Sequence, residues 1–530
     1  MNPRIGIDFG TSNTVMAVWD EVSREGVPFH LPDYGRHYQY NEEPVSVVPS
    51  VIHYAVDGVR WIGQQVSERQ LSSSNRTFSL IKRYIGHRSL IKRRIDGREV
   101  SHRDAGCDFL SAVLLSTGSL HELEGAEVAL TAPVESFEHY SDWISGVTEA
   151  AGISRIRLID EPSAAALGYG ANIQPGRVYM IFDFGGGTLD TAVVMIEEED
   201  GLTSGRRCRI LGKAGHDLGG LSVDTWLMKE VLRQNQLSEM DDSLRAISTE
   251  LLLKCRNAKE RLSTEKQALI SLSHPENNRV LEYELTRENF EELLDQQEFY
   301  SQVDQTIRRS LNAARERGYS EDDVHSVLMV GGSSLIPSVQ KTVQRIFGRD
   351  RVRQERPLDA VARGAASFVA GVDFFDHIQH EYAIRWLNSE KGDYDYLVIV
   401  KRGAEYPTLK PIARMTIKAT YAGQKELGIA IFEISENRRQ SAKAPLELVF
   451  DPTGSARLVE TTAEEEYRRN YFWINEKKQT FLNAEPPATQ GEKRFAIEFG
   501  IDRNKHLLVT ARDLKTGHLV LHDIPVVKLT

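Results

Sequence analysis

The sequence predicts a mixed α/β domain followed by a separate all-β domain, and three observations indicate this. A pattern of strand, acidic residue, glycine and threonine turn, and strand appears twice, 175 residues apart, with its acidic residues at Asp8 and Asp183. Strand-like and helix-like segments alternate over the first 370 residues, which is typical of α/β architecture. After Ala370 the helical periodicity fades, and strand-like runs separated by turn residues take its place.

The repeated pattern is the strongest functional signal in the chain. The first copy reads Asp-Phe-Gly-Thr-Ser-Asn-Thr over residues 8–14, and the second reads Asp-Phe-Gly-Gly-Gly-Thr-Leu-Asp over residues 183–190. A glycine turn lets backbone N–H groups approach a phosphate, and a carboxylate at a strand end can hold Mg²⁺ through water. A single copy is more typical of a plain hairpin. Two copies with the same start predict facing turns that grip one nucleoside triphosphate.

Composition limits the class of protein. The chain has 530 residues, of which 41% are hydrophobic, and it contains no apolar run long enough for a secretory signal or a membrane span. Its three cysteines, Cys107, Cys208 and Cys255, are isolated, so we expect neither disulfides nor a zinc site, and we expect a cytoplasmic protein. Residues 384–530 carry 23 basic and 20 acidic side chains, whereas the first 383 residues carry 42 and 56. Neither part has a strong basic field, which disfavours nucleic-acid binding.

The elements of the first part follow from local signals. We expect strands at Glu127–Thr131, Arg155–Ile159 and Val324–Val330, and helices at Glu135–Ala151, Glu161–Gly168, Leu244–Leu262 and Asp359–Val369. Pro162 suits the first turn of its helix. The apolar stripe of the helix from Leu244 to Leu262 has three- and four-residue spacing and predicts core packing. The last helix is rich in Ala and Gly, which favours close packing against a neighbour.

The last part reads as a β domain. We expect strands at Tyr396–Lys401, Ala413–Thr420, Leu427–Ile434, Arg494–Ile501 and Leu507–Ala511. The polar segment 435–491 is interpreted as a long loop or an elaboration of this domain. We therefore predict three regions: a nucleotide-binding domain over residues 1–370, a linker over 371–383, and a β domain over 384–530.

The order of the motifs resembles the heat shock protein 70 chaperone family, within the actin-like ATPase superfamily. The resemblance rests on the two Asp-Phe-Gly turns, Glu161-Pro162-Ser163-Ala164-Ala165-Ala166, Leu218-Gly219-Gly220 and Val330-Gly331-Gly332-Ser333, and it covers residues 1–370. A weaker resemblance of the β domain rests on segments 400–408, 497–502 and 512–517. The resemblance implies an actin-like (ribonuclease H-like) two-lobed ATPase domain followed by a β-sandwich that is similar to a substrate-binding domain.

The resemblance also implies the site residues, with ATP or ADP and Mg²⁺ as cofactors. Asp8, Asp183 and Asp190 would surround Mg²⁺ and the attacking water, with Glu161 coupling the metal to the lobes. Lys82 would orient the water. The phosphates would be held by Gly10, Thr11, Ser12, Asn13, Gly185, Gly186, Gly187 and Thr188, and the nucleoside by Lys259, Ser263, Gly331, Gly332 and Ser333. Outside this pattern, a helical lysine is more typically solvated surface, and Glu161 is a suitable helix-start carboxylate.

The chain departs from the family pattern in its base-binding residues, in its linker and after the β domain. Glu260 and Leu335 stand where the family has two arginines that sandwich adenine, and Arg256 replaces a glutamate. We therefore expect weaker adenine stacking, with Arg256 as a candidate substitute. The linker lacks the family's leucines and carries Phe374 and Phe375, which either dock against the ATPase domain or serve as plain packing residues. No helical lid follows the β domain in this sequence, so we expect fast peptide release.

We interpret the chain as an ATP-dependent, chaperone-like ATPase whose hydrolysis controls polypeptide binding by the β domain. A J-domain co-chaperone and a nucleotide-exchange factor are the further partners that the family implies. One alternative is a dedicated switch or assembly factor with a single fixed partner. Another alternative is an actin-like filament protein, which the β domain disfavours. A small-molecule kinase of the same superfamily is less favoured, because no sugar-site motif is visible.

Overall fold

The structure is a computed structural model, and its residues group into two units. It describes residues 2–40, 43–121, 125–133, 138–151, 153, 155–170, 174, 176–198, 206–238, 244, 247–274, 279–371, 374–375, 378, 380–388, 393–404, 406–434, 446–450, 456–460, 471–476, 479–502 and 505–529. The first unit comprises Met1–Val134, Trp143–Phe375 and Lys443–Thr461. The second comprises Glu135–Asp142, Asp376–Ala442 and Thr462–Thr530.

The first twenty strands and all the described helices lie before residue 376. The strands are β1 (Arg4–Phe9), β2 (Asn13–Asp20), β3 (Glu25–Pro28), β4 (Arg36–Tyr40), β5 (Glu43–Pro49), β6 (Ile52–Tyr54), β7 (Arg60–Ile62), β8 (Thr77–Phe78), β9 (Lys92–Ile95), β10 (Arg98–Ser101), β11 (Glu127–Ala132), β12 (Arg155–Asp160), β13 (Val178–Phe184), β14 (Leu189–Glu198), β15 (Arg206–His216), β16 (Gln267–Ser273), β17 (Val280–Thr286), β18 (Val324–Val330), β19 (Val352–Arg353) and β20 (Phe374–Phe375). The helices are α1 (Gln64–Glu68), α2 (Ile81–Gly86), α3 (His102–Leu120), α4 (Glu138–Ala150), α5 (Glu161–Gly168), α6 (Gly220–Gln234), α7 (Ser248–Leu262), α8 (Arg287–Gln296), α9 (Phe299–Arg315), α10 (Pro337–Phe347) and α11 (Ala360–Val369). No helix in the described ranges is long and apolar enough to cross a membrane.

The two copies of the repeated pattern form equivalent hairpins in two separate sheets. One sheet has the order β12-β11-β1-β2-β5-β4, with β3 paired to β2, and the other has the order β19-β18-β13-β14-β15-β20. β1 runs antiparallel to β2 and parallel to β11. β13 runs antiparallel to β14 and parallel to β18. The strand–turn–strand prediction is thus confirmed for both copies.

Two helices rich in small residues lie against each other beside these sheets. α5 is buried over its whole length, and its Ala164 carbonyl oxygen directly contacts Gly364 of α11, where a Cβ atom has no room. Ala164, Ala165 and Ala360 belong to one hydrophobic cluster. The predicted close packing of the Ala- and Gly-rich helix is therefore confirmed. α7 begins at Ser248 rather than at the predicted Leu244, although Leu244 packs into the same core as the helix.

Among its described residues after position 376, the second unit contains strands and no helix, and these strands pair antiparallel. They are β21 (Glu381–Asn388), β22 (Asp393–Val400), β23 (Ala413–Lys418), β24 (Gln424–Ile429), β25 (Ile431–Ile434), β28 (Tyr471–Trp473), β29 (Thr480–Ala488), β30 (Lys493–Ile501), β31 (His506–Asp513) and β32 (Leu519–Lys528), with β26 (Leu446–Phe450) and β27 (Ala456–Glu460) between β25 and β28 in the chain. The sheets have the orders β22-β21-β25-β28, β23-β30-β31-β32 and β24-β29. Alternate residues of β31 are buried, as expected for a strand with one face in the core.

Two sequence expectations for this region need correction. The predicted single strand Leu427–Ile434 is two strands, because β24 pairs with β29 whereas β25 pairs with β21. Of the two interpretations of segment 435–491, the long loop is wrong, because the segment contains β28, β29 and the β26–β27 hairpin, and this hairpin groups with the first unit. The rest of that segment, apart from residues 474–476, 479 and 489–491, lies outside the described residues. Within the predicted linker, Phe374–Phe375 forms β20 and Glu381 begins β21, whereas residues 372–373, 376–377 and 379 lie outside the described ranges.

Candidate active site

The two glycine turns lie against each other. A Cβ atom built on Gly186 would be 2.5 Å from the Ser12 Oγ atom, and one on Gly187 would be 2.8 Å from the Thr11 Oγ1 atom. Side chains of the first turn therefore occupy the space beside the second turn, and a Cβ atom at either glycine would displace them. Backbone N–H groups in such turns are suited to bind phosphate oxygens.

Carboxylates stand at the strand ends that lead into and out of these turns. Asp183 and Asp190 are paired across the β13–β14 hairpin, so both side chains project from the same face of the sheet. Both are buried, with 7% and 1% of their surface exposed. Asp8 is half-buried near the end of β1, and its Oδ1 atom accepts a hydrogen bond from Thr131 Oγ1 at 3.0 Å.

This group of carboxylates is electrostatically unfavourable without a cation. Desolvation raises the pKa of Asp8 to about 6, against the opposing effect of the Lys82 charge, and the Glu161 charge raises it further. Desolvation also raises the pKa of Asp183 well above its ordinary value, and the charges of Glu161, Asp190 and Asp8 add to this. A bound cation would relieve this repulsion.

The donor set fits Mg²⁺ that keeps most of its water. Among the described residues, no three His, Cys, Asp or Glu side chains lie close enough together to ligate one metal ion directly. Mg²⁺ prefers hard oxygen donors and usually retains several waters, through which the predicted carboxylates Asp8, Asp183, Asp190 and Glu161 can hold it. The raised pKa values of Asp8 and Asp183 are consistent with a site built for positive charge.

A buried lysine pairs with one of the predicted carboxylates. The Lys82 Nζ atom, on α2, donates a hydrogen bond to Glu161 Oε1, at the start of α5, and both residues are less than one-tenth exposed. α2 itself is tied to the second turn, because Arg83 contacts the Asp217 carboxylate at 3.2 Å and the Gly187 carbonyl at 3.4 Å. The lysine is therefore a fixed internal group, and a role as solvated surface is excluded.

The start of α5 is fixed by Asp160, which precedes Glu161. The Asp160 Oδ1 atom accepts hydrogen bonds from Ser163 N at 2.9 Å and from Ser163 Oγ at 2.6 Å, as an N-cap residue does. Its other oxygen, Oδ2, lies 2.9 Å from the Lys213 Nζ atom of β15. Glu161 therefore lies at the start of a helix whose N-cap residue is held through both of its carboxylate oxygens.

A third set of predicted residues gathers around the start of α6. Gly220 N donates to the Gly185 carbonyl at 3.0 Å, and Lys259 Nζ donates to the Gly220 carbonyl at 2.9 Å. A Cβ atom on Gly220 would lie 2.6 Å from Ser333 Oγ. Gly331 has a φ of +83°, and a Cβ atom there would lie 2.7 Å from Asp183 Oδ1, so glycine is required at this position. The Gly-Gly-Ser turn and Lys259 thus meet the second glycine turn.

The Asp224 carboxylate forms ion pairs with two basic side chains of α7. Its carboxylate, 1% exposed, lies 2.8 Å from Lys259 Nζ and 3.3 Å from Arg256 Nε. Glu260 is exposed and Leu335 is half-buried. Of the other predicted residues, Ser263 is half-buried just after α7, and Gly332 is exposed beyond Gly331.

Several residues next to the site were not assigned from the sequence. Asp160 carries a local signal, because it stands where the cap of the Glu-Pro helix belongs. Lys213, Asp217 and Thr131 carry no such signal, since each meets its partner only after distant segments have folded together.

A mixed α/β fold in which two hairpins bring glycine turns and carboxylates together is typical of nucleotide-binding proteins. The model of the Hsp70 protein family matches residues 4–100 and 143–375, which is more than half of the chain. The chain belongs to the Hsp70 family, and the resemblance seen in residues 1–370 of the sequence is confirmed. It follows that the first unit has the actin-like ATPase fold and that the protein is a chaperone-like ATPase.

Proposed function

We propose that the chain binds Mg²⁺ and ATP between the two glycine turns, hydrolyses ATP to ADP, and uses the nucleotide state to control polypeptide binding by the second unit. The observation that carries this proposal is the contact between the turns, where Thr11 and Ser12 meet Gly187 and Gly186 beside buried carboxylates. Family membership supports ATP hydrolysis in general.

The proposed roles of the binding residues follow from their chemistry. Backbone N–H groups of the two turns, at Thr11–Asn13 and Gly185–Thr188, would bind the β- and γ-phosphates. Lys259, Ser263 and the Gly331–Ser333 turn would hold the nucleoside. Asp8, Asp183, Asp190 and Glu161 would hold Mg²⁺ through water, and the bound ion would supply positive charge that offsets the charge on the phosphate oxygens.

The catalytic step is hydrolysis of the terminal phosphoanhydride. Water attacks the γ-phosphorus, the bond from that phosphorus to the bridging oxygen breaks, and ADP leaves with the electron pair, while inorganic phosphate forms and the proton lost by the water is released to solvent. Lys82 would orient this water and offset the negative charge that develops, and Glu161 would keep the ammonium group in place. The carboxylates of Asp183 and Asp190 would accept hydrogen bonds from the water, and the Thr188 hydroxyl would contact the γ-phosphate.

Base recognition is proposed to be weak. Glu260 is exposed and Leu335 is aliphatic, so neither offers the flat cationic surface that stacks on adenine. Arg256 is the candidate substitute, but its guanidinium is held by the buried Asp224 carboxylate. We therefore expect ATP and GTP to bind with similar affinity.

The linker provides a route for control. β20, at Phe374–Phe375, is the edge strand of the sheet that contains the second glycine turn, and it runs parallel to its neighbour β15. We propose that this pairing forms with ATP and is released with ADP, which makes the second unit's affinity for polypeptide depend on the nucleotide. A J-domain co-chaperone and a nucleotide-exchange factor are the further proposed partners, acting with the protein in the cytoplasm.

A dedicated switch for one fixed partner is the second candidate function. The observation in its favour is the β26–β27 hairpin, which lies within the β-domain sequence but groups with the first unit. Such an elaboration is consistent with a specialised role.

Capture experiments with the intact protein in ATP and in ADP separate the two candidates. We expect many unfolded polypeptides, bound more in ADP than in ATP, if the chaperone function is right. One stoichiometric partner identifies the switch instead. Single-turnover assays with Mg²⁺ and ATP test hydrolysis itself, and an inactive wild-type protein would contradict both candidates.

A further inference from the structure

One ion pair links the two large sheets of the first unit close to the active site. The Lys213 Nζ atom lies 2.9 Å from Asp160 Oδ2, and only 6% and 3% of the two side-chain surfaces are exposed. Lys213 belongs to β15 in the sheet of the second turn, whereas Asp160 ends β12 in the sheet of the first. A buried pair of this kind is costly to break, because the remaining charge is left without compensation.

The two oxygens of Asp160 have separate partners. Oδ1 caps α5 through Ser163, and Oδ2 faces Lys213. The next residue along the chain is Glu161, whose carboxylate accepts the hydrogen bond from Lys82. A displacement of Asp160 therefore moves the residue that holds the catalytic lysine.

Lys213 also lies on the strand that receives the linker. Cys208 and Arg209 of β15 are paired with Phe374 and Phe375 of β20, and Lys213 lies further along the same strand, opposite Ala192 of β14. The contacts therefore run without interruption from the linker strand, along β15, through the ion pair, to Glu161 and Lys82.

We propose that Lys213 and Asp160 are positioning residues that hold Glu161, and through it Lys82, in the geometry needed for ATP hydrolysis. This inference rests on the proposed function. Neither residue contacts the reacting atoms in this scheme. Their loss would slow the chemical step while leaving nucleotide affinity nearly unchanged, because the glycine turns and Lys259 are held by other contacts.

The competing explanation is that the charges of Lys213 and Asp160 only neutralise each other inside the protein and have no effect on hydrolysis. Three variants separate these explanations: Lys213→Met, Asp160→Asn, and the double variant. Asn retains a cap oxygen, and Met is close to Lys in length, so the double variant removes both charges while preserving the cap and the volume. We expect the single variants to melt at lower temperature and the double variant to recover most of that loss.

Hydrolysis is measured in single-turnover assays with Mg²⁺ and ATP, and affinity by titration with ADP. We expect each single variant and the double variant to hydrolyse ATP at least fivefold more slowly than wild type, with the Kd for ADP changed less than threefold. A double variant with the wild-type rate would overturn the proposal, since charge compensation alone would then explain the pair. A rate loss accompanied by an equal loss of affinity would also overturn it.

Two controls complete the experiment. Arg494→Met combined with Asp513→Asn removes a buried ion pair of the second unit, whose atoms are 2.8 Å apart, and should leave single-turnover hydrolysis unchanged. Lys82→Met should be inactive. If wild type itself fails to hydrolyse ATP, the proposed function is wrong. If wild type is active, if Lys82→Met is inactive and if the double variant hydrolyses ATP at the wild-type rate, then the proposed function stands and only the positioning role is contradicted.

Discussion

Asp183 and Asp190 lie directly opposite each other on the β13–β14 hairpin, with both carboxylates buried on the same face. Directly opposed like charges destabilise a hairpin, and burial makes their repulsion stronger. Both aspartates are present, although asparagine or serine at either position would remove the repulsion between the two carboxylates. This arrangement trades stability of the empty protein for the capacity to hold a cation.

Replacing Asp183 by Asn should therefore have opposite effects on stability and on function. We expect the nucleotide-free variant to melt at higher temperature than wild type, because one of the opposed charges is removed. The rise in melting temperature on adding Mg²⁺ and ADP should shrink, and single-turnover hydrolysis should fall at least about tenfold, or roughly 1.4 kcal/mol in the barrier. Asp217→Asn, which removes a carboxylate that pairs with Arg83, serves as a control that should not raise the melting temperature. A destabilised, fully active Asp183→Asn protein would contradict the assignment.

The pH dependence of stability follows from Asp8. Its pKa is raised from 3.8 to about 6, mainly by desolvation, so the folded state binds the proton more tightly than the unfolded state. The stabilisation from this proton is fully present below about pH 4 and is lost as the pH rises through about 6, with a magnitude of about 2–3 kcal/mol. The melting temperature of wild type relative to Asp8→Asn should fall over this range in the absence of Mg²⁺ and nucleotide. A constant difference between the two proteins from pH 4 to pH 7 would show that the pKa of Asp8 is not raised in the folded protein.

Local patterns determined how much of this site could be predicted. The hairpins with Asp8 and Asp183, the helix at Glu161 and the Ala- and Gly-rich helix α11 all depend on neighbours in the chain, and the sequence identified them. The strand from Leu427 to Ile434 looked continuous because its hydrophobicity is continuous. Its division into β24 and β25 depends on which strands pair with each half.

Contacts between distant segments could not be predicted. In the sequence, nothing distinguishes Lys213 from other lysines in strands. Its partner Asp160, the N-cap residue of α5, comes close only when β15 lies beside the end of β12. The Arg83–Asp217 contact likewise forms only after α2 meets the end of β15. No periodicity or spacing in the sequence encodes such pairs, because their partners belong to different sheets and helices.

Lys82 tests the catalytic assignment most directly. Lys82→Ala should reduce single-turnover hydrolysis at least about tenfold, or roughly 1.4 kcal/mol of barrier, because the group that orients the water is removed. It should also destabilise the protein, since Glu161 loses the partner of a buried hydrogen bond. Glu161→Gln combined with Lys82→Met removes both charges and should recover stability without recovering hydrolysis. Wild-type rates in both variants would remove Lys82 from the mechanism.

Base selectivity should be low and open to engineering. Calorimetric titration should give Kd values for ATP and GTP within about tenfold of each other, which is 1.4 kcal/mol. Replacing Glu260 and Leu335 by Arg should tighten ATP binding more than GTP binding, because two guanidinium planes can stack on the base. Glu250→Arg introduces the same charge change as Glu260→Arg, at an exposed position in the first turn of α7, and should not change selectivity. A strictly adenine-selective wild-type protein would show that other residues recognise the base.

The linker should be protected from proteolysis in ATP and cleaved in ADP. Phe374 and Phe375 form a strand that pairs in parallel with β15, and the backbone groups of successive residues in a strand point in opposite directions. Only one of the two residues can therefore donate its N–H group to β15, and proline removes that donor.

Phe374→Pro and Phe375→Pro are therefore a matched pair. Protection in ATP should be lost in one variant and retained in the other, and Ser at both positions tests the contribution of the side chains separately. All of these proteins should still bind nucleotide, because the turns that hold it lie in other elements. If cleavage of the wild-type linker is the same in ATP, in ADP and without nucleotide, the pairing of β20 with β15 is permanent packing. The nucleotide state would then have no route to the second unit through this strand.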